Sequence, residues 1–172
     1  MISKKLENEI NNQINAETWS AYLYLSMAAW FEDKNLIGFA NWMRVQYHEE
    51  ISHALKFFDY INERGGRVIL QPIKAVKTDW KDEIEIFKET YEHEKKVTSM
   101  INNLVNIAIE EKDHASNNML QWFVAEQVEE ESNADELFQQ LKFLKGNPHG
   151  LLMLDRELKQ RVFIDETQNT NK

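Results

Sequence analysis

Helix breakers are nearly absent from this chain. Glycine and proline number 5 and 2 in 172 residues, and the long segments between them space apolar side chains at helical intervals, with hardly a strand-like alternation. Such a chain must bury helix against helix. Ser3 is placed to cap a first helix reaching about Asp33; the turn "KNLIG" follows, and a second helix runs from about Leu36 to Arg64. "RGG" stops it, with Gly65 or Gly66 in the left-handed capping position. A third helix is expected to begin near "TDW", capped by Thr78 or Asp79, and to reach about Lys112. A fourth occupies about Ala115 to Lys145, "KGNPHG" breaks the chain, and a short fifth runs from about Pro148 to Arg161. The tail "DETQNTNK", residues 165–172, is polar and expected to fray.

The links after Asp33 and after Lys112 are too short for anything but antiparallel neighbours, so the four long helices read as two hairpins. The middle link, "GGRVILQPIKAVKTD", is different. Its roughly 15 residues at about 3.3 Å each reach about 50 Å, against about 42 Å for a helix of about 28 residues. It can therefore cross the bundle's height and set the second and third helices parallel. Val68, Ile69, Leu70, Ile73 and Val76 give it apolar side chains with which to pack. The expected fold is all-α: an antiparallel four-helix bundle over about 4–145, with one long crossover and a short C-terminal helix over about 148–161. A single domain spans 1–172.

Read on alternating steps of three and four, each long helix shows a buried seam. The first seam holds Ile14, Glu17, Ala21 and Tyr24; the second holds Gln46, Glu50, His53 and Phe57. The third is expected to run Phe87, Tyr91, Glu94, Thr98, Ile101, Val105, Ala108, and the fourth includes Phe123, Gln127, Glu130 and Ala134. Every seam is mostly apolar and every seam carries a glutamate. Residues equally far from an antiparallel turn lie level. Glu17 and Glu50 are centred on the Asp33–Lys34 turn, and Glu94 and Glu130 on Lys112, so the acids of each hairpin face each other near mid-height. Buried carboxylates repel and cost several kcal/mol each unless compensated. No lysine or arginine occupies a seam position. Raised pKa values relieve part of the repulsion; two divalent cations would neutralise four carboxylates, with His53 adding a nitrogen ligand one turn from Glu50. His48, His93, His114 and His149 fall outside this layer and take no role.

Acidic residues outnumber basic ones by 29 to 20, for a net charge of -9, and no basic stripe offers itself to nucleic acid. The absence of cysteine excludes disulfides and thiolate metal sites and suits a reducing compartment. The N-terminal "MISKKLENEI" lacks the apolar run of a secretory signal, and no segment is apolar enough to span a membrane. A cytoplasmic location is expected.

Helix lengths, the long crossover, the short fifth helix and the set Glu17, Glu50-x-x-His53, Glu94 and Gln127-x-x-Glu130 resemble the bacterial haem-free ferritins over nearly the whole chain. The resemblance implies the ferritin-like form of the bundle, a di-iron centre and ferroxidase chemistry with dioxygen or peroxide. It implies ferric mineral stored in a self-assembled shell of about 24 subunits. By the same resemblance Glu17, Glu50 and His53 hold one iron, Glu50, Glu94 and Glu130 the other, with Gln127 beside it and Tyr24 supporting. Glu49, Glu126, Glu129 and Glu130 match the ligands of a third iron. Gln127-x-x-Glu130 replaces the second Glu-x-x-His of a bacterioferritin or di-iron oxygenase, and Ser52 stands where a bacterioferritin carries its haem-binding methionine, so no haem is expected. Two rival readings stay open: an oxygenase acting on an organic substrate, and a structural bundle whose polar layer only sets helix register.

Overall fold

The computed structural model describes residues 1–168. Its helices are α1 (Lys4–Asp33), α2 (Ile37–Glu63), α3 (Glu83–Glu110), α4 (His114–Leu144) and α5 (Pro148–Leu158), followed by a 3-10 turn at Glu166–Gln168. No strand occurs among the described residues. The two short turns are built alike. Asn35 and Lys112 adopt positive φ (58° and 56°), which turns the last amides of the helix back onto its own carbonyls. Asn35 and Leu36 bond Glu32 and Phe31 at 3.0 Å each; Lys112 and Asp113 bond Ile109 and Ala108 at 3.0 and 2.8 Å. Gly65 (φ 69°) ends α2, and Gly66 donates back to Ile61 at 2.9 Å, so Gly65 is the left-handed cap. Asp113 then caps α4 at the Ser116 amide (3.1 Å) and takes a two-pronged bond from Arg64 (3.1 and 3.0 Å), tying the end of α2 to the start of α4.

The third helix starts later than expected, at Glu83 with Asp82 as its cap, and not at Thr78 or Asp79. Asp79 is engaged elsewhere, accepting from the Trp30 indole and the Trp80 amide (3.0 Å each), while the Trp80 ring is buried in the core. Asp82 accepts from the Glu85 amide (2.8 Å), and the Glu85 carboxylate reaches back to the Lys81 amide (2.7 Å), a reciprocal cap. The crossover, residues 64–82, is held along α1 largely through its backbone. Asn11 bonds Arg67 and Ile69, Asn15 bonds Gln71 and Pro72, and Ser26 bonds Lys77. Val68 and Val76 tuck into the core, but Ile69, Leu70 and Ile73 face outward, so only part of the crossover's apolar set packs within the chain.

α5 folds back on the start of α2, where no side chain of α2's own residues caps the helix. Asp155 of α5 supplies the cap, accepting from the Gly38 and Phe39 amides at 2.8 and 3.1 Å. Glycine is needed there, because a Cβ on residue 38 would lie 1.6 Å from the Asp155 carbonyl oxygen. The fifth helix ends at Leu158 and not near Arg161: residues beyond it leave the helix and run along α2, with Asn41 donating to the carbonyls of Leu158 and Arg161 at 3.2 and 2.9 Å. The first residues of the polar tail run back to α2, where Lys56 donates to the Thr167 carbonyl at 3.0 Å. Residues 169–172 of that tail lie outside the described residues.

The apolar core has two halves. One gathers Phe31, Phe39, Met43, Phe87 and Leu141 toward α5; the other gathers Leu6, Ile10, Phe57, Ile101 and Phe123 toward the opposite end. Phe57 and Phe123 stack at 4.0 Å between ring centres. On α3 the seam is displaced from the expected one. Phe87, Glu94, Ile101 and Ala108 are buried as expected, but Thr90, Val97 and Leu104 fill the intervening places and Tyr91, Thr98 and Val105 are only half-buried. Both stripes share the seven-residue repeat and differ in which neighbour completes each turn, a choice fixed by the facing helices.

Candidate metal centre

Between the two apolar halves lies a layer to which all four long helices contribute. Glu17 of α1, Glu50 and His53 of α2, Glu94 of α3, and Gln127 and Glu130 of α4 are all buried. One ligand atom each from Glu17, Glu50 and His53 lies within 4.8 Å of the others, the one such group among the described residues. Trp122 and Phe123 wall the His53 ring at 5.5 and 5.9 Å. Gln13, one turn before Glu17, donates to its Oε1 at 2.8 Å. No donor reaches Oε2 of either Glu17 or Glu50. The two carboxyls belong to the same tight group, where a bond between them would need a shared proton.

Glu94 and Glu130 complete the layer but stand outside that tight group. Tyr24 donates to Glu94 Oε1, and Gln127 donates to Glu94 Oε2 at 3.2 Å. Gln46 donates to Glu130 Oε2 at 2.9 Å and leaves its own Oε1 unpartnered. Burial, then the charges of Glu17 and Glu94, holds the Glu50 carboxyl well above the usual carboxylate range. Burial and the Glu94 charge do the same for Glu130, burial raises Glu17, and burial pushes Glu94 up to about 7. Carboxyls raised together in this way hold protons that a divalent cation would displace. The donor set, carboxylate oxygens with one imidazole nitrogen and orphaned oxygens on two acids, suits a hard or borderline transition ion such as iron.

The residues matched to a third metal are arranged differently. Glu126 is buried and Glu49 half-buried, whereas Glu129 is exposed. Arg161, from the segment after α5, donates to Glu49 Oε2 at 2.7 Å. Burial raises the Glu49 carboxyl and Arg161 draws it back down, while Glu126 adds a repelling charge. His93 lies outside the layer: it bonds Ser20 at 2.7 Å, packs on Trp19 and Tyr24, and is pushed down to about 4 by burial. Gln13 and Arg161 were not predicted to touch the acids. Gln13 had a signal, a polar residue four before Glu17 on the buried face. Arg161 had none, since it comes from outside any helix.

The sequence matches the Ferritin family, a ferritin-like domain, over residues 7–144. It is 44% identical over 161 residues to the bacterial non-heme ferritin of Bacteroides fragilis, covering 94% of this chain and 100% of that one. A probable bacterial non-heme ferritin-like protein of Haemophilus influenzae is 39% identical over 158 residues, with 92% and 96% covered. Among solved structures, an engineered closed form of Archaeoglobus fulgidus ferritin superposes with a TM-score of 0.94 at 49% identity, covering 95% of this chain and 100% of the other. An open pore ferritin from the same archaeon gives 0.93 at 49% identity, with 94% and 98% covered.

Proposed function

The chain belongs to the ferritin family, and on that premise we propose that it stores iron, oxidising ferrous iron at the buried acidic layer and holding the ferric product as mineral in a shell of its own copies. The observation that carries this reading is the convergence of Glu17, Glu50 and His53 in a layer that also buries Glu94 and Glu130. Glu17, Glu50 and His53 bind one ferrous ion. Glu50, shared between the two, binds a second with Glu94 and Glu130. Gln127 and Tyr24 orient Glu94 through the bonds already described.

Ferrous ions displace the protons that the raised carboxyls hold and are then oxidised as substrate. Each of two ions gives one electron to dioxygen, which takes up two protons and leaves as hydrogen peroxide. With peroxide as oxidant, the same two electrons cleave the O–O bond and, with two protons, yield two waters. Anionic oxygen ligands favour the ferric state, because the harder, more highly charged ion gains more from them. Ferric ions then hydrolyse and pass to the mineral.

Assembly is supported by apolar side chains exposed on more than one face, with Leu70 (73%) on the crossover and Phe143 (91%) and Met153 (60%) at the α4–α5 end. We read the assembly as a shell of about 24 subunits working in the cytoplasm without haem. Among the described residues no helix is long and apolar enough to cross a membrane. The test is aerobic ferrous loading of the metal-free protein, followed by sizing and iron counting. Hundreds of ions per particle are expected, whereas about two per chain in a small particle would mean a di-iron enzyme without storage.

A further inference from the structure

Three acids of the metal layer are each held by one uncharged amide. Gln13, one turn before Glu17 on the same face of α1, donates to Glu17 Oε1 at 2.8 Å, Gln46 donates to Glu130 Oε2 at 2.9 Å, and Gln127 donates to Glu94 Oε2 at 3.2 Å. All three glutamines are buried. An amide orients a carboxylate without cancelling its charge, whereas a lysine or arginine would do both. Glutamine thus prepares an acid for a metal where a basic residue would compete for it.

The Gln13 bond divides the two oxygens of Glu17. Oε1 carries the amide hydrogen bond, while Oε2 is buried and no donor reaches it. Gln13 itself is 1% exposed on a face shared with the buried Ile10 and Ile14, where an apolar side chain would fill the space without burying a polar group. We propose that Gln13 is a positioning residue that fixes how Glu17 meets the metal: by holding Oε1 it offers only Oε2, so the ion shared with Glu50 and His53 is bound through one Glu17 oxygen and keeps a place for the oxidant. The inference rests on the reading of the layer as a two-metal centre. Without the amide, Oε1 becomes a second buried acceptor with no donor, and the ion is the one positive partner left to it. Glu17 then turns both oxygens to the metal, which holds the ion well but closes the place the oxidant needs.

Zinc, which is redox-inert and accepts oxygen and nitrogen ligands, is the probe for the assembled, metal-free protein. A carboxylate bound through one oxygen separates its two infrared stretching bands widely, and binding through both oxygens narrows the gap. Difference spectra on adding two zinc ions per chain therefore read the binding mode, with the Glu17 bands identified by their loss in Glu17→Gln. Gln13→Met keeps the side-chain length and removes the donor, and Gln13→Asn keeps an amide but draws it back by one methylene. In both variants the Glu17 gap should narrow, with calorimetric zinc affinity within about threefold of the parent's and the initial rate of ferrous oxidation down about tenfold. A purely structural glutamine would move the melting temperature and leave the infrared gap alone. A Glu17 gap equal to the parent's in either zinc-loaded variant overturns the proposal, as does loss of zinc binding in both, since Gln13 would then hold the site together without setting its mode. Absence of tight zinc binding by the unaltered protein would instead remove the two-metal reading beneath this inference.

Discussion

Glu94 illustrates what one side chain in this layer costs and what it makes possible. Its carboxyl, pushed up to about 7 by burial, carries a proton in the metal-free fold at pH values where the unfolded chain has lost it. The native state therefore binds more protons than the unfolded state between about 4.5 and 7, and stability falls as pH rises through that window. His93 acts oppositely, but chiefly below its ordinary value of 6.5, because its folded value is depressed to about 4. Between about pH 6.5 and 8 the raised carboxyls outweigh what remains of the opposing His93 titration. Thermal melts of the metal-free protein should lose on the order of 1 kcal/mol, roughly 2–4 °C, across that interval. Zinc should reverse the slope by replacing the protons, and a metal-free melting temperature that rises from pH 6.5 to 8 would contradict the account. At this scale the sequence was informative wherever a residue sat on a periodic seam. Glu17, Glu50, His53, Glu94 and Glu130 could be placed from spacing alone, while Arg161 reaches Glu49 from a segment with no period to read.

Among the elements, the junction of α5 with α2 is the one most exposed to single substitutions. Asp155 provides α2 with the N-terminal acceptors that its own Leu36 cannot, and Gly38 allows the approach. Asp155→Ala should cost about 1–2 kcal/mol, measured by denaturant unfolding, as loss of a helix cap does. Gly38→Ala should cost more, on the order of 3 kcal/mol, because the added methyl meets backbone that cannot rotate aside. Equal melting temperatures for Gly38→Ala and the parent would show that α5 does not sit as described. Helix existence and pairing were legible from the break pattern and the matched turn distances. The start of α3 was not, because Asp79 has a capping residue's chemistry but its carboxylate is drawn to the Trp30 indole. The α3 seam was half legible for a related reason: Phe87, Glu94, Ile101 and Ala108 belong to either of two neighbouring stripes, and only the packed partners decide between them.

For the whole molecule, the acidic layer divides a core that would be more stable without it. The two apolar halves supply the burial, and on the proposed function the carboxyls between them serve metal binding at a cost to stability. Glu50→Met should therefore raise the melting temperature of the metal-free protein, by roughly 1–4 kcal/mol of added stability, while suppressing ferrous oxidation. Lower stability in that variant would mean the layer is needed for register. On the outer surface, Leu70→Asp should shift the particle to smaller species in sedimentation if the crossover is an assembly contact, since a charge buried against a partner is left unpaired. Subunit number itself leaves no periodic trace in a sequence, and the exposed apolar residues become visible as surface only once the helices are folded. The whole account reduces to whether the mid-bundle acids and His53 are where iron gives up its electron. Stopped-flow absorbance of ferrous oxidation in a Glu17→Ala/His53→Ala double variant, with helix content checked by circular dichroism, asks this directly. The account predicts a folded protein whose initial rate is down by about 100-fold; an initial rate equal to the parent's would contradict it.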